Sequence, residues 1–467
     1  MKPLTLQEMC KAIGGRVYGE IKFPRVTSVT TDSRSLQPES LFFAIKGDHF
    51  DGHDFVEEVL RKGATAAVVS DARRYPEPLR TTGRLIEVDD TTIALGRLAS
   101  WYRRQIPAQV VAVFGSNGKT TTKDMIHAVL SSRKRGKAAA ASFNNHIGVP
   151  ITLLSAEPSD EYLVVEIGTN HPGEIASLAR IAAPDMAIVT SIGEEHLEGF
   201  GDLEGVAAEE FSFLPFMQGR PFVAMSDQAA EFAPSGRARD PNRTMIVYGT
   251  SETCDLRATD ISQGMHGQDF LVNGRFEYHV PLIGRHNVLN SMAAIAIGQR
   301  FRVEQADIAA ALNGFVAPKM RMQGVQQGSL YLINDAYNAN PSSMKAAIEA
   351  LDAIARPGRR VLVLGDMREL GEQSTRCHQK VGREAGTSSA NVIVTVGNMA
   401  RVMADGATSA AGTSKRIYPF PTIESLMDKL PDLLEPGDNV LLKASRGTRL
   451  ERLVPVIEKC GRAATLS

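Results

Sequence analysis

The string Gly115-Ser-Asn-Gly-Lys-Thr-Thr121 is the part of this 467-residue chain best suited to chemistry. Its glycines let successive backbone N–H groups turn toward one anion, its lysine supplies charge, and its hydroxyls can reach a divalent cation. An apolar run at 110–114 precedes it and a helical pattern at 121–130 follows, the strand-loop-helix setting that a phosphate loop requires. Gly115, Ser116, Asn117, Gly118, Lys119, Thr120 and Thr121 are therefore expected to bind phosphate. The longer pattern GxxxxGK[ST] would place its first glycine where this chain has Val113, which argues against GTPases and motor ATPases.

Glu166 closes the apolar run 162–165, and His196 follows the run 186–190 across a short loop. Ligands of open α/β sheets gather outside the carboxyl ends of the strands, where both residues would stand beside the phosphate loop. A carboxylate there suits Mg²⁺, which takes oxygen ligands; a helix-capping acid and an ordinary loop histidine are the plain alternatives. The string Asn334-Asp-Ala-Tyr-Asn-Ala-Asn-Pro341 lies between a strand at 330–333 and a helix at 343–351. Its polar residues suit turn chemistry and equally suit a nucleotide or a substrate. Gly284-Arg-His-Asn287 with Asn290 poses the same choice, since Asn287 could be an N-cap.

The elements that must position these residues fall into three units, the number that roughly 150 residues per domain would suggest. Residues 1–106 carry a helix at 6–13, strands at 41–45, 66–69 and 85–88, and a helix at 91–104 that Pro107 stops. Residues 107–316 alternate apolar strands at 110–114, 162–165, 186–190, 222–225 and 245–248 with helical segments and close on a helix at 289–298. That alternation predicts a parallel, doubly wound sheet. Residues 317–467 repeat the pattern with strands at 330–333, 361–364, 392–396 and 440–442. Gly365-Asp-Met-Arg-Glu-Leu-Gly371 follows a strand there but is not GxGxxG, so a nicotinamide cofactor is not indicated. Breaks near Pro107 and Pro318 offer places for hinges.

Composition narrows the function further. Hydrophobic residues make up 43% and charged residues 22%, and 52 Lys and Arg against 53 Asp and Glu leave a net charge of -1. A nucleic-acid partner held through its phosphates would call for a basic excess, so none is expected. Cys10, Cys254, Cys377 and Cys460 lie far apart without a CxxC pair, which predicts a reduced, cytoplasmic protein. The N-terminus has no apolar core of a signal peptide, and no uncharged run reaches the roughly 18 residues of a membrane span. Neither export nor membrane insertion is expected.

Taken together, the strings resemble the Mur ligase family, the ATP-dependent amide-forming enzymes of peptidoglycan precursor synthesis. Gly115 to Thr121 is similar to its short phosphate loop; Val164-Val-Glu-Ile-Gly168, Glu195-His-Leu-Glu198 and Gly284-Arg-His-Asn-Val-Leu-Asn290 are similar to its central motifs. Asp335-Ala-Tyr-Asn-Ala-Asn-Pro341 resembles the branch that adds D-alanyl-D-alanine. So do Asp32-Ser-Arg34, Asp51-Gly-His53, Phe143-Asn-Asn145, Gly168-Thr-Asn-His-Pro-Gly-Glu174, Gly365-Asp-Met367, Glu369-Leu-Gly371 and Lys443-Ala-Ser-Arg446. The resemblance implies an α/β chain of three domains. These are a small N-terminal α/β domain (1–106) for the uridine nucleotide, a central P-loop-type doubly wound ATP-binding domain (107–316), and a C-terminal Rossmann-like α/β domain (317–467) that closes over the site with the incoming dipeptide. The implied substrates are UDP-N-acetylmuramoyl-tripeptide, D-alanyl-D-alanine and ATP, with Mg²⁺, on a monomer. A sister ligase adding a single amino acid, a folylpolyglutamate-type ligase and a non-catalytic nucleotide-binding paralogue are the alternatives.

The resemblance also implies roles. Lys119 would face the transferring phosphate, Thr120 and Glu166 would hold one Mg²⁺, and His196 a second. Arg321 and Asp335 would contact the ATP phosphate and ribose, and Asn287 and Asn290 the adenine side. Ser33, Arg34 and Lys46 would bind the uridine nucleotide, and Asn145 the substrate. Asn338, Asn340, Lys443 and Arg446 would recognise peptide or dipeptide. Most members carry a lysine after the His-Leu-Glu motif that CO₂ carbamylates into an anion near the second metal. Here that position falls on Glu210, and the family's following glutamate on Ser212. Glu210 is an anion without modification and is expected to stand in for the carbamate; the alternative makes Glu209 and Glu210 a solvated acidic pair.

Overall fold

The computed structural model describes residues 1–21, 25–234, 244–264, 266–413 and 415–463. Its central sheet has nine strands. Gly136–Ala138, Tyr162–Glu166, Gln109–Phe114, Met186–Val189, Phe222–Ser226 and Thr244–Gly249 lie side by side and parallel. Tyr162–Glu166 and Met186–Val189 are buried along their whole length, because helices cover both faces of the sheet; this is why they read as unbroken apolar runs. Their register brings the site together: Glu166 pairs with Val113 and Val189 with Phe114, so three carboxyl ends finish level around the loop that starts at Gly115.

The strands expected from the sequence are parallel, and the sheet extends beyond them. Leu256–Gly264, Gly267–Val272 and Phe276–Val280 continue the sheet as an antiparallel meander. Their residues alternate between covered and open positions, so they lack the continuous apolar run by which the buried strands announce themselves. The same applies to Arg16–Gly19, antiparallel to Thr82–Glu87 in the five-stranded N-terminal sheet, and to Gln323–Gln327, the antiparallel edge of the six-stranded C-terminal sheet. In that last sheet Leu330–Asp335 lies parallel to Asn439–Lys443 with Asp335 opposite Lys443.

The three units share their packing. One apolar cluster extends from Leu6 and Met9 through Tyr102 and Phe114 to Ile333 and Leu441. The helix Thr91–Arg103 buries Leu95, Leu98, Ala99 and Tyr102 and lies against the helices Gly148–Leu154 and Glu174–Ala182 of the central unit. Tyr102 Oη donates to Ala156 O at 2.7 Å. Arg103 donates to Ala182 O at 2.9 Å and to Asp185 Oδ2 at 2.6 Å, and the same oxygen accepts from Val110 N at 2.7 Å. The break at Pro107 is therefore a fixed joint rather than a free hinge. Arg103→Ala would leave Asp185 without its buried partner and should cost about 3 kcal/mol of unfolding free energy, measured by urea denaturation.

Candidate active site

The helix Lys119–Ser131 starts without a side-chain cap, because Gly118 occupies the N-cap position at φ 81°. Its first-turn N–H groups thus face a cavity of about 910 Å³ and form an anion cradle. Gly118 has a second reason to be glycine: a Cβ there would stand 2.5 Å from Asn290 Oδ1. The loop is clamped on both sides. Gly193 N donates to Ser116 Oγ at 2.8 Å, Asn117 N donates to Ser191 Oγ at 3.0 Å, and Thr122 Oγ1 donates to Asn290 Oδ1 at 3.1 Å. Asn290 in turn donates to Asn287 Oδ1 at 3.0 Å, so both asparagines line the cavity and brace the loop at once.

Lys119 Nζ lies 2.5 Å from Gly115 O. Burial pushes its ammonium down, but Glu195, Glu210 and Glu166 together outweigh burial and hold it above the ordinary lysine range. Glu166, buried at the end of its strand, accepts from Thr120 Oγ1 at 2.8 Å and from Asn144 Nδ2 at 3.0 Å. These hard oxygen donors at the mouth of the cradle fit a Mg²⁺ that would share its remaining ligands with phosphate and water. Among the described residues no three His, Cys, Asp or Glu side chains form a metal cage of their own.

His196 caps a short helix at φ 48°, with Nδ1 2.6 Å from Glu369 Oε2 of the C-terminal unit and Nε2 4.0 Å from Glu195 Oε2. The Glu209–Glu210 pair is not solvated, contrary to the alternative reading. Glu209 accepts from Gly173 N and Ile175 N and so caps the helix Glu174–Ala182. Glu210 is fully buried behind the loop, where its Oε2 accepts from Gly115 N at 2.7 Å and its Oε1 has no partner. It does not line the cavity. Burial pushes its carboxyl up to about 8, helped by Glu195 and opposed by Lys119.

The C-terminal unit supplies the opposite wall. Arg321 lies over the Tyr337 ring at 4.1 Å and donates to Ser142 Oγ at 3.1 Å. Asp335 accepts from Met322 N at 3.0 Å and from Lys443 Nζ at 2.6 Å. Lys443, a candidate for dipeptide recognition, is thus buried in an ion pair and also donates to Asn338 O at 3.0 Å. Asn340 is also engaged. Its Oδ1 caps the helix Pro341–Asp352, and its Nδ2 donates to Asn117 Oδ1 at 2.9 Å, tying the phosphate loop to the third unit. Arg446 lines the cavity and pairs with Glu451 at 2.8 Å.

A second cavity of about 470 Å³ opens between the N-terminal and central units. Asn145 and Ser142 line both cavities. Ser33, Arg34 and Lys46 do not line this cleft; Arg34 is turned outward in a two-point pair with Asp32, and Lys46 lies in an isolated backbone β-bridge with Asp51. Thr30, Asp32, Ser35 and Gln37 line it instead. The resemblance pointed to Ser33, Arg34 and Lys46, whereas the fold lines the cleft with polar side chains close to them in sequence. Sequence reasoning gave no role to Asn144, inside the string 143–145, and passed over Ser142 and Lys123. Lys123 is buried inside a helix and donates to Ala139 O and Ala141 O at 2.7 Å each, which pins the segment leading to Ser142. The available signal was weak, a second lysine one turn after Lys119 on the same polar first turns of the helix.

A short phosphate loop at the switch point of a parallel sheet, facing a carboxylate, a histidine and a second α/β unit, makes a nucleotide-type site closed by two domains. The chain belongs to the Mur ligase family. Residues 25–103 match the model described as Mur ligase family, catalytic domain; 113–298 match the Mur ligase middle domain; and 320–446 match the Mur ligase, glutamate ligase domain. The particular branch follows from the relatives. The UDP-N-acetylmuramoyl-tripeptide–D-alanyl-D-alanine ligase of Bacillus subtilis is 36% identical over 96% of this chain and 98% of its own length. The crystal structure of MurF from Acinetobacter baumannii covers 98% of this chain and 99% of its own, at 30% identity and a TM-score of 0.85. MurF from Thermotoga maritima in complex with ADP covers 94% and 99%, at 25% identity and a TM-score of 0.79.

The buried Glu210 gives a pH test. A carboxyl raised from its ordinary value contributes stability while protonated and loses it as pH climbs through its folded pKa. The stability of the wild type relative to Glu210→Gln should therefore fall between about pH 5 and about pH 8, read from urea midpoints across that range.

Proposed function

We infer that the chain is an ATP-dependent amide ligase that adds D-alanyl-D-alanine to UDP-N-acetylmuramoyl-tripeptide in peptidoglycan precursor synthesis. The observation that carries this reading is the pair of cavities that share Ser142 and Asn145, one built on a phosphate loop and the other reaching the N-terminal unit. A long acceptor can lie with its nucleotide in the smaller cleft and its peptide carboxylate at the phosphate loop.

A carboxylate does not react with an amine unaided. Transfer of the γ-phosphoryl group of ATP to the tripeptide carboxylate gives ADP and an acyl phosphate. The amine of D-alanyl-D-alanine then attacks the acyl carbon, the C–O bond to phosphate breaks, and the nitrogen loses a proton as the amide forms. Lys119 and the first-turn N–H groups of its helix stabilise charge on the transferring phosphoryl oxygens. Thr120 and Glu166 would hold Mg²⁺, which when bound neutralises part of the triphosphate charge. His196 lies close enough to serve a second ion or the acyl phosphate. Asn287 and Asn290 face the nucleotide, and Arg321 and Asp335 approach it from the third unit. Glu210 acts through the loop, by holding Gly115 and balancing Lys119, and not as a metal ligand. Asn338 and Arg446 remain as dipeptide contacts, while Asn340 and Lys443 position them. We place the reaction in the cytoplasm; no helix among the described residues is long and apolar enough to cross a membrane.

Phosphate release tests both substrate and site. With UDP-N-acetylmuramoyl-tripeptide and ATP, release should require D-alanyl-D-alanine, and alanine or glutamate should not replace it. Stimulation by a single amino acid alone would reassign the chain to a sister ligase. Lys119→Ala should lower kcat by about 100-fold or more while the circular dichroism spectrum is retained.

A further inference from the structure

Glu369 belongs to the string Glu369-Leu-Gly371, to which the reaction as described gives no work. It follows the strand Arg360–Gly365 of the C-terminal unit at φ 62°, a left-handed conformation that a non-glycine residue holds only where its surroundings enforce it. The enforcing contacts come from the central unit. Glu198 N donates to Glu369 O at 3.3 Å, and Gly371 lies so near Glu198 that a Cβ would stand 3.2 Å from its Cα. The carboxylate is thereby delivered to His196, with Oε2 2.6 Å from Nδ1. The other edge of the ring is differently placed. Nε2 is 4.0 Å from Glu195 Oε2, well beyond the 2.6 Å that separates Nδ1 from Glu369. The ring of Phe200 meets the imidazole edge-on at 86° and limits its rotation.

A carboxylate on one imidazole nitrogen fixes both the ring plane and the tautomer, and it raises the basicity of the other nitrogen. We propose that Glu369 is a positioning residue for His196: it accepts the Nδ1 proton and leaves the Nε2 lone pair directed at the cavity. The two residues come from different domains. The histidine is therefore set for chemistry only while the C-terminal unit is seated on the central one. This rests on the reading of His196 as a residue that meets the metal or the acyl phosphate.

The test uses the full chain with ¹⁵N-labelled histidine at a pH about two units above the ordinary imidazole pKa, so that the ring is neutral. Long-range ¹H–¹⁵N spectra report which nitrogen carries the proton, and the His196 signals are those lost in His196→Gln. In the wild type Nδ1 should be protonated and Nε2 bare. In Glu369→Gln, which keeps an oxygen acceptor, that tautomer should persist. In Glu369→Ala it should give way to a mixture, and the Mg²⁺ concentration for half-maximal phosphate release should rise by about 10-fold or more. Glu369 has a side chain 56% exposed, so its removal leaves the core intact, and an unchanged melting temperature would verify this. An Nε2–H tautomer in the wild type, or a wild-type tautomer and metal dependence in Glu369→Ala, would overturn the proposal. Full activity of His196→Gln would instead remove the role of His196 and the proposal with it, a result distinct from a silent Glu369→Ala.

Discussion

One ammonium group stands among three carboxyls beneath the phosphate loop, and the site is arranged around that imbalance. Lys119 faces Glu166, Glu195 and Glu210 in a region with little water, where like charges repel strongly. Burial answers part of the excess by pushing Glu195 and Glu210 toward their neutral forms. Hydrogen bonds answer more of it, since Gly115 N donates to Glu210, and the side chains of Thr120 and Asn144 donate to Glu166. A triphosphate entering this space brings further negative charge. Cations are therefore what such a ligand would need at this place, and Arg321 is held at the facing wall by Tyr337 and Ser142.

The central unit was the most legible part of the sequence because its strands are buried on both faces and its loop chemistry is local. Gly115 to Thr121, Glu166 and His196 announce themselves through residue type at strand ends. The meander at 256–280 did not, since half-covered strands with Arg257, Thr259 and Asp260 look like loop. In the N-terminal unit the resemblance alone pointed to Arg34, and the structure pairs it with Asp32 two positions away. Asn340 and Lys443 show the same limit from the other side. Both stand at the site, but one is a helix cap and the other half of a cross-strand ion pair, and the partners are 3 and 108 positions distant in sequence. Glu209 and Glu210 are the clearest case. Two adjacent acids suggest solvent, and only the tertiary structure shows one capping a helix and the other braced under the phosphate loop.

Rigidity is distributed unevenly. The N-terminal helix Thr91–Arg103 is locked to the central unit by the buried hydrogen bonds of Tyr102 and Arg103. The C-terminal unit meets the site through polar contacts that water can replace: Asn340 to Asn117, Arg321 to Ser142, Glu369 to His196. The linker before it contains Met320 and Met322 at positive φ, so the connection itself is conformationally stressed. The architecture thus pairs a fixed acceptor cleft with a wall whose grip is exchangeable, which suits a reaction whose bulky product must leave.

The thin partition between the two cavities has a consequence for inhibition. Ser142 and Asn145 are common to both, so ligands seated in the two cavities would meet the same short segment from either side. A short tether across that segment would convert the second contact into an intramolecular one, with an effective concentration on the order of millimolar for a flexible link of matching length. Small fragments that individually bind weakly could then be joined into a compound whose selectivity derives from the spacing, because an enzyme that shares only the phosphate loop offers nowhere for the other half to sit.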